Sequence, residues 1–362
     1  MPRLAGWSVP VALSCAPRRR LPCQQRPKAR LVWLAERVEK SFNCRREKRM
    51  RLFFATDIHG SETCWRKFLN SGKHYGADVL VLGGDMTGKA LVPIVHDGDG
   101  RWHATLLENR EELEGEEAVV AFEDAVIRRG YYPFRTNPDE LRELADDEPR
   151  WHQLFHDEML KTVERWMALA DERLEGTGLR CFVCPGNDDQ LDIDAVVQGA
   201  RHVELAEGRV VDIDGFQMAS TGWSNLTPWD TYREEDEPQL AERIGRVVEQ
   251  VTAQPERTIF SFHCPPYNSG LDEAPELTED MRLKDAGRAT KPVGSTAVRQ
   301  AIEEFEPTLS LHGHIHECKA SARIGRTLCI NPGSAYEQGD LLGAVIDLDG
   351  KKKVKRFLLT SG

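Results

Sequence analysis

The sequence predicts an α/β fold organised on a parallel sheet, and two observations carry that expectation. Short apolar runs without helical spacing recur along the chain, as strands buried on both faces require, and amphipathic segments separate several of them. Five of these runs also stop at residues able to bind metal. Asp57 and His59 follow 52–56, Asp85 follows 77–82, Asn187 follows 179–183, His263 follows 258–262, and His314 with His316 follows 309–311. A parallel sheet presents its functional side chains at the carboxyl ends of its strands, so this order predicts one shared site.

At 362 residues and 40% apolar content, the chain can bury a full core as one large domain or two smaller ones. The net charge of −11 is uneven: residues 1–49 carry 13 Lys or Arg against 3 acids, which leaves about −21 for the remainder. A body that acidic repels the phosphates of long nucleic acids, whereas a small anionic substrate can still be drawn to a metal. Nine cysteines, an odd number without framework spacing, point to a reducing, cytoplasmic setting. Cys181 and Cys184 lie in an apparent strand where positions i and i+3 face opposite ways, so they are read as buried structural thiols. No stretch reaches the ~20 apolar residues of a membrane span. Residues 1–49 are read as a basic, poorly ordered extension, and residues 50–362 as the folded domain. A chain starting at Met50 is expected to keep its metal content, activity and melting temperature; loss of soluble folded protein would reject that reading.

Taken in order, 62–75 spaces Trp65, Phe68 and Leu69 on one helical face. An insertion then spans about 100–176 and is expected to be mostly helical. Leu106 to Arg129 is one expected helix, Asn137-Pro138 reads as a cap followed by a first-turn proline, and Trp151 to Leu174 is a long helix. In that last helix Trp151, Leu154, Phe155, Val163, Met167 and Leu174 are expected to form the insertion's own core, or a cap over the site. His152 and His156 lack a metalloprotease pattern around them and read as surface or capping residues. Asp214-Gly215 suits a hairpin turn, and 240–251 an amphipathic helix. The Pro- and Gly-rich loop 264–294 carries Lys284, Arg288 and Lys291, and its length marks it as functional or mobile.

Imidazoles, carboxylates and one amide oxygen make a mixed N/O set suited to divalent first-row metals, and Asp57, His59, Asp85, Asn187, His263, His314 and His316 are enough for two ions. The motif order D-x-H, G-D, G-N-x-D, H and G-H-x-H resembles that of the calcineurin-like metallophosphoesterase superfamily, in its phosphodiesterase-like branch. That resemblance implies a two-sheet sandwich flanked by helices, a four-layer αββα arrangement carrying a helical insertion. It also implies one divalent ion on Asp57, His59, Asp85 and His316 and a second on Asp85, Asn187, His263 and His314, with Asp85 bridging. Mn, Fe, Zn, Ni and Co all accept such a set. The implied activity is hydrolysis of a small or nucleotide-like phosphodiester, since two ions about 3.5–4 Å apart can hold a bridging hydroxide and stabilise both the attacking and the leaving oxygen. Asp85, Asn187, Asp188 and His263 are the expected catalytic set.

The chain also departs from the family pattern. Members often carry His after the motif Asn, and here the position is Asp188, which would repel phosphate unless protonated, turned away, or matched to substrates with good leaving groups. Gly84-Asp85-Met86 lacks the Asp-Arg-Gly of the protein phosphatase branch. Substrate contacts are expected from Lys291, from Ser295 at a helix start where free amides could bind phosphate, and from Tyr267, which could stack on a base. The competing functions are a weakly active or non-catalytic interaction scaffold, which need not retain seven ligands, and a nuclease, which the acidic body disfavours.

Overall fold

Leu52, Phe53 and Phe54 are all buried, yet they belong to two different layers. In the computed structural model, which describes residues 49–278, 280–350 and 353–362, Phe53 packs outward with Trp65, Leu80 and Trp166, whereas Leu52 and Phe54 pack inward against the opposing sheet. The period-2 alternation of a strand between two apolar layers explains the uninterrupted apolar run. The expected amino-terminal extension lies outside the described residues, apart from Arg49.

The first six-stranded sheet runs in the order β20 (Lys353–Ser361), β19 (Leu342–Asp349), β1 (Met50–Ala55), β2 (Val79–Leu82), β7 (Arg180–Val183) and β8 (Val203–Leu205). The second runs β17 (Ala320–Ile324), β18 (Thr327–Asn331), β16 (Leu309–Leu311), β13 (Thr258–Phe262), β10 (Phe216–Thr221) and β9 (Arg209–Ile213). In each sheet the four strands nearest the site, β1, β2, β7 and β8 or β10, β13, β16 and β18, are parallel. The inner faces meet through Leu52, Phe54, Val81, Phe182, Met218 and Ile259 among others.

Helices cover both outer faces and complete the expected four layers. On the first sheet lie α1 (Glu62–Tyr75), α4 (Glu148–Leu174) and α5 (Ile193–Gln198); on the second lie α6 (Glu237–Val248) and α7 (Thr296–Phe305). Ser61 caps α1 by accepting from the Cys64 amide, and Gly76 ends it in the left-handed conformation. Asp147 caps the 27-residue α4 by accepting from the Arg150 amide. Val163, Met167 and Leu174 of α4 share a core with Phe53 and Leu80 of the first sheet, so this helix belongs to the sandwich rather than to a separate insertion core. The Trp65 and Trp166 rings stack at 5.1 Å with their planes 7° apart.

The inserted segment is mixed rather than mostly helical. It carries a four-stranded sheet in the order β5 (Asn109–Glu114), β4 (Arg101–Leu106), β3 (Leu91–Gly98) and β6 (Tyr132–Thr136), with α2 (Gly115–Arg128) and α3 (Pro138–Ala145). Val92, Ile94, Ala104, Val119, Phe122 and Val126 form its own core. The expected helix from Leu106 to Arg129 is therefore half hairpin. Leu106 pairs with Asn109 across a two-residue turn in which Leu107 and Glu108 both take positive φ. Neither residue type announces such a turn, and the exposed, Glu-rich β5 has helix-favouring composition, so its pairing with β4 overrides local propensity.

Two short ribbons, β11 (Ser224–Asn225) with β12 (Glu234–Glu235) and β14 (Glu273–Pro275) with β15 (Thr290–Pro292), stiffen loops beside the strand ends. The long loop thus has a hairpin inside it. The six described cysteines, including Cys181 and Cys184, are free and buried, and no described helix is long and apolar enough to cross a membrane.

Candidate metal centre

The ends of β1, β2, β7, β13 and β16 converge. The turn after β1 is laced to the turn after β2 by three backbone hydrogen bonds, Asp57 N to Gly84 O, His59 N to Asp85 O and Gly60 N to Met86 O, at 2.8–3.0 Å. Asp57, His59, Asp85 and His314 all have φ between 37° and 68°. For non-glycine residues this left-handed backbone is strained, and four such positions in one site mark a built centre held in place by the surrounding fold.

Close approach of these turns depends on glycines. A Cβ on Gly186 would lie 2.2 Å from Asp85 Oδ1, one on Gly313 would lie 2.3 Å from Asp57 Oδ2, and one on Gly84 would lie 2.0 Å from His263 Nδ1. Asp189 locks the same region: its carboxylate accepts from the amides of Met86, Thr87 and Gly186 and from the Thr87 hydroxyl, at 2.6–3.0 Å. Asn331 donates to the carbonyls of Gly313 and Ile315, and Ser334 donates to the Asp57 carbonyl at 2.6 Å, which gives the Asn-Pro-Gly-Ser stretch the role of holding the histidine loop.

Two groups of ligand atoms result. Asp57, His59, Asp85 and His316 form one and Asp85, His263 and His314 the other, each with its atoms within 4.8 Å of one another. Asp85 is common to both. Asn187 joins the second group, its Oδ1 2.8 Å from His314 Nδ1. The Nε2 atoms of His59 and His316 face each other at 3.0 Å. His263 donates from Nδ1 to the Gly83 carbonyl at 2.9 Å, which leaves its Nε2 aimed inward. That buried Nε2 has no hydrogen-bond partner, although Asp85 Oδ2 lies 3.3 Å away.

The electrostatics call for a cation. Burial alone would raise Asp57 and Asp85, but facing histidines, His263 foremost, pull both well below the usual carboxylate range. Burial likewise disfavours charge on His263, yet Asp85 and Asp57 outweigh it and push that imidazole up to about 10. Burial holds His59 and His314 neutral, His314 down to about 4, which is the form a metal ligand needs. Soft thiolates are absent from both groups, so the donor set, the orphaned nitrogen and the two adjacent acids fit hard or borderline divalent ions.

The arrangement also explains the stability of one neighbour. His312 is buried, donates from Nδ1 to the Phe262 carbonyl, and leaves Nε2 unpartnered; burial pushes it down to about 4. A histidine with a depressed folded pKa contributes stability present above the unfolded value of about 6.5 and lost as pH falls towards 4. Metal-stripped His312→Gln is expected to lose stability less steeply than wild type between pH 6.5 and 4, by up to about 3 kcal/mol in denaturant titrations. Parallel stability curves for the two proteins would refute this.

The chain matches the calcineurin-like phosphoesterase family over residues 50–318. It belongs to that family. It is 30% identical over 177 residues to the uncharacterized protein MJ1162 of Methanocaldococcus jannaschii, covering 48% of this chain and 70% of the relative. One crystal structure, 16% identical, aligns over 86% of this chain and 99% of its own with a TM-score of 0.50, a likeness of fold. The crystal structure of TT1561 of Thermus thermophilus is 14% identical over 87% of this chain and 99% of its own, with a TM-score of 0.46.

In this phosphoesterase the seven expected ligands come together, while the expected substrate residues divide. Lys291 lines a cavity of about 1040 Å³ that opens above Asp85, Asn187, Asp188, His314 and His316. Ser295 does not bind phosphate through free amides here. It is buried, its hydroxyl and the amides of Thr296 and Ala297 donate to the Glu237 carboxylate, and its Oγ accepts from the Val298 amide, so the helix start is already satisfied by an internal anion. Tyr267 is half-exposed and outside the cavity wall; its carbonyl accepts from Arg299. The aromatic walls instead come from Trp151 and Phe155 of α4 and from Trp229 and Tyr232. The first turns of α4 thus cap the site while its remainder packs the core. His152 lines the cavity, and His156 pairs with Asp192, the residue that precedes α5.

Sequence reasoning missed Lys89. Its Nζ lies 2.8 Å from Asp188 Oδ2, and both line the cavity. Burial and then Asp85 push Asp188 up to about 6, against the pull of Lys89. Asp188 is therefore neither turned away nor unopposed: it carries its own counter-cation. The only sequence signal is a lysine four residues after Asp85, in the loop that follows a strand end expected to face the site.

Proposed function

We propose that this chain hydrolyses a small or nucleotide-like phosphodiester at a dinuclear site, Asp57, His59, Asp85 and His316 holding one divalent ion and Asp85, Asn187, His263 and His314 the other. The observation that carries this reading is Asp85, one carboxylate common to two groups of ligand atoms. Divalent ions bound there would supply an acidified water as nucleophile and would offset the charge of the phosphoryl oxygens. The residues do the rest. His263, fixed through the Gly83 carbonyl, keeps Nε2 directed inward; Asp57 accepts from the His314 amide and so sets the histidine loop. Lys89, anchored by Asp188, brings a cation to the cavity floor where a phosphoryl oxygen would lie. No histidine follows Asn187 to protonate a leaving group, which favours esters of acidic alcohols over simple monoesters.

Metal analysis of purified protein, joined to a panel of monoesters, linear diesters and cyclic nucleotides, tests the proposal. We expect two ions per chain and turnover of diesters that disappears in Asp85→Ala. Fewer than one ion per chain and no Asp85-dependent turnover would favour an interaction scaffold.

A further inference from the structure

Eleven large apolar side chains stand exposed among the described residues, and four of them, Leu226, Trp229, Tyr232 and Leu283, line the same cavity above the metal groups. Their exposures are 50–65%. Soluble chains rarely gather exposed apolar groups in one place unless something covers them. Trp151 and Phe155 on α4 extend this wall towards the floor, where Asp85, Asp188 and Lys89 supply the polar end. The cavity is thus divided, with charge at the bottom and apolar surface above it.

Three polar side chains in the upper wall are already engaged. Asn225 donates to the Val293 carbonyl and accepts from the Cys264 thiol, the Thr227 hydroxyl donates to Glu234, and the Tyr232 hydroxyl accepts from Gln190. Such a wall offers contact area and little hydrogen-bond reading of a base edge. At about 1040 Å³, the cavity is also far larger than a phosphoryl group needs.

We infer that the substrate is amphiphilic: a phosphoester one of whose alcohols carries an extended alkyl group, seated against Leu226, Trp229, Tyr232 and Leu283 while the phosphoryl end meets Lys89 and the metal groups. This deepens the phosphodiesterase reading and rests on it for the chemistry at the floor. Lys291, exposed in the cavity lining, is placed to attract the anionic head during entry.

The test separates binding from turnover. Methyl, butyl and hexyl phosphate are titrated calorimetrically into the metal-loaded full chain, and the p-nitrophenyl diesters of the same alcohols are assayed. A fully buried methylene is worth about fourfold in affinity, so hexyl phosphate should bind at least tenfold tighter than methyl phosphate. The hexyl-to-methyl ratio of kcat/KM should rise likewise, and both ratios should shrink in Trp229→Ser and in Leu226→Ser. Equal affinity for the three phosphates, or ratios unmoved by both substitutions, overturns the inference. If no diester is cleaved while the alkyl dependence of binding persists, the hydrolytic reading fails and the amphiphilic ligand stands.

Discussion

Replacing Asp85 with Ala is expected to empty both metal positions and lower turnover by at least about 10³-fold, the rate equivalent of losing several kcal/mol of transition-state stabilisation. The same cut at His59 or at His314 should be milder in metal content, each removing a ligand from one group only. Asp85 also accepts from the Asp188 amide at 3.0 Å, so its loss frees the Asn187 turn as well. Asp85→Asn controls for this: it keeps shape and most hydrogen bonding while discarding the charge. Metal content by mass spectrometry, with circular dichroism to verify folding, should show fewer than one ion per folded chain in both Asp85 variants. Two retained ions would remove Asp85 from its shared role.

Lys89→Ala is expected to lower kcat about 10²-fold with little change in metal content, in line with the loss of one donor to a developing oxyanion. Two explanations of that loss differ in a double-variant experiment. If Lys89 only neutralises Asp188, the Asp188→Asn, Lys89→Ala double variant recovers, because the charge to be neutralised is gone. If Lys89 meets the phosphoryl oxygen, the loss persists in the Asp188→Asn background and Lys89→Arg restores part of it. We expect persistence. The pair explains how an acid can stand beside Asn187 in the cavity: at 2.8 Å the ammonium screens the carboxylate from the substrate while that carboxylate fixes the ammonium in place.

Much of this was legible in the sequence for a physical reason. A strand buried on both faces must be apolar throughout, so the point where 52–56 or 258–262 turns polar is visible, and parallel pairing brings those points to one edge. The seven candidate ligands followed from the strand ends, and their division into two groups from the family resemblance. What remained hidden depends on partners distant in sequence. Glu237 occupies the amides at Ser295 from 58 residues away, and nothing near Ser295 announces it. The β4–β5 hairpin forms through register across Leu107 and Glu108, against the helical tendency of its glutamates. Long helix α4 reads as amphipathic, but whether its apolar face served the insertion or the first sheet was decided by Trp65 and Phe53. The apolar cavity wall was likewise out of reach, since Trp151, Leu226 and Leu283 meet only in three dimensions.

Whether one carboxylate serves two ions is addressed most directly by anomalous diffraction from crystals of the manganese-loaded full chain. Two peaks about 3.5–4 Å apart are expected, both within bonding distance of Asp85, one facing His59 and His316 and the other facing Asn187, His263 and His314. A single peak, or two peaks of which only one touches Asp85, would contradict that shared role.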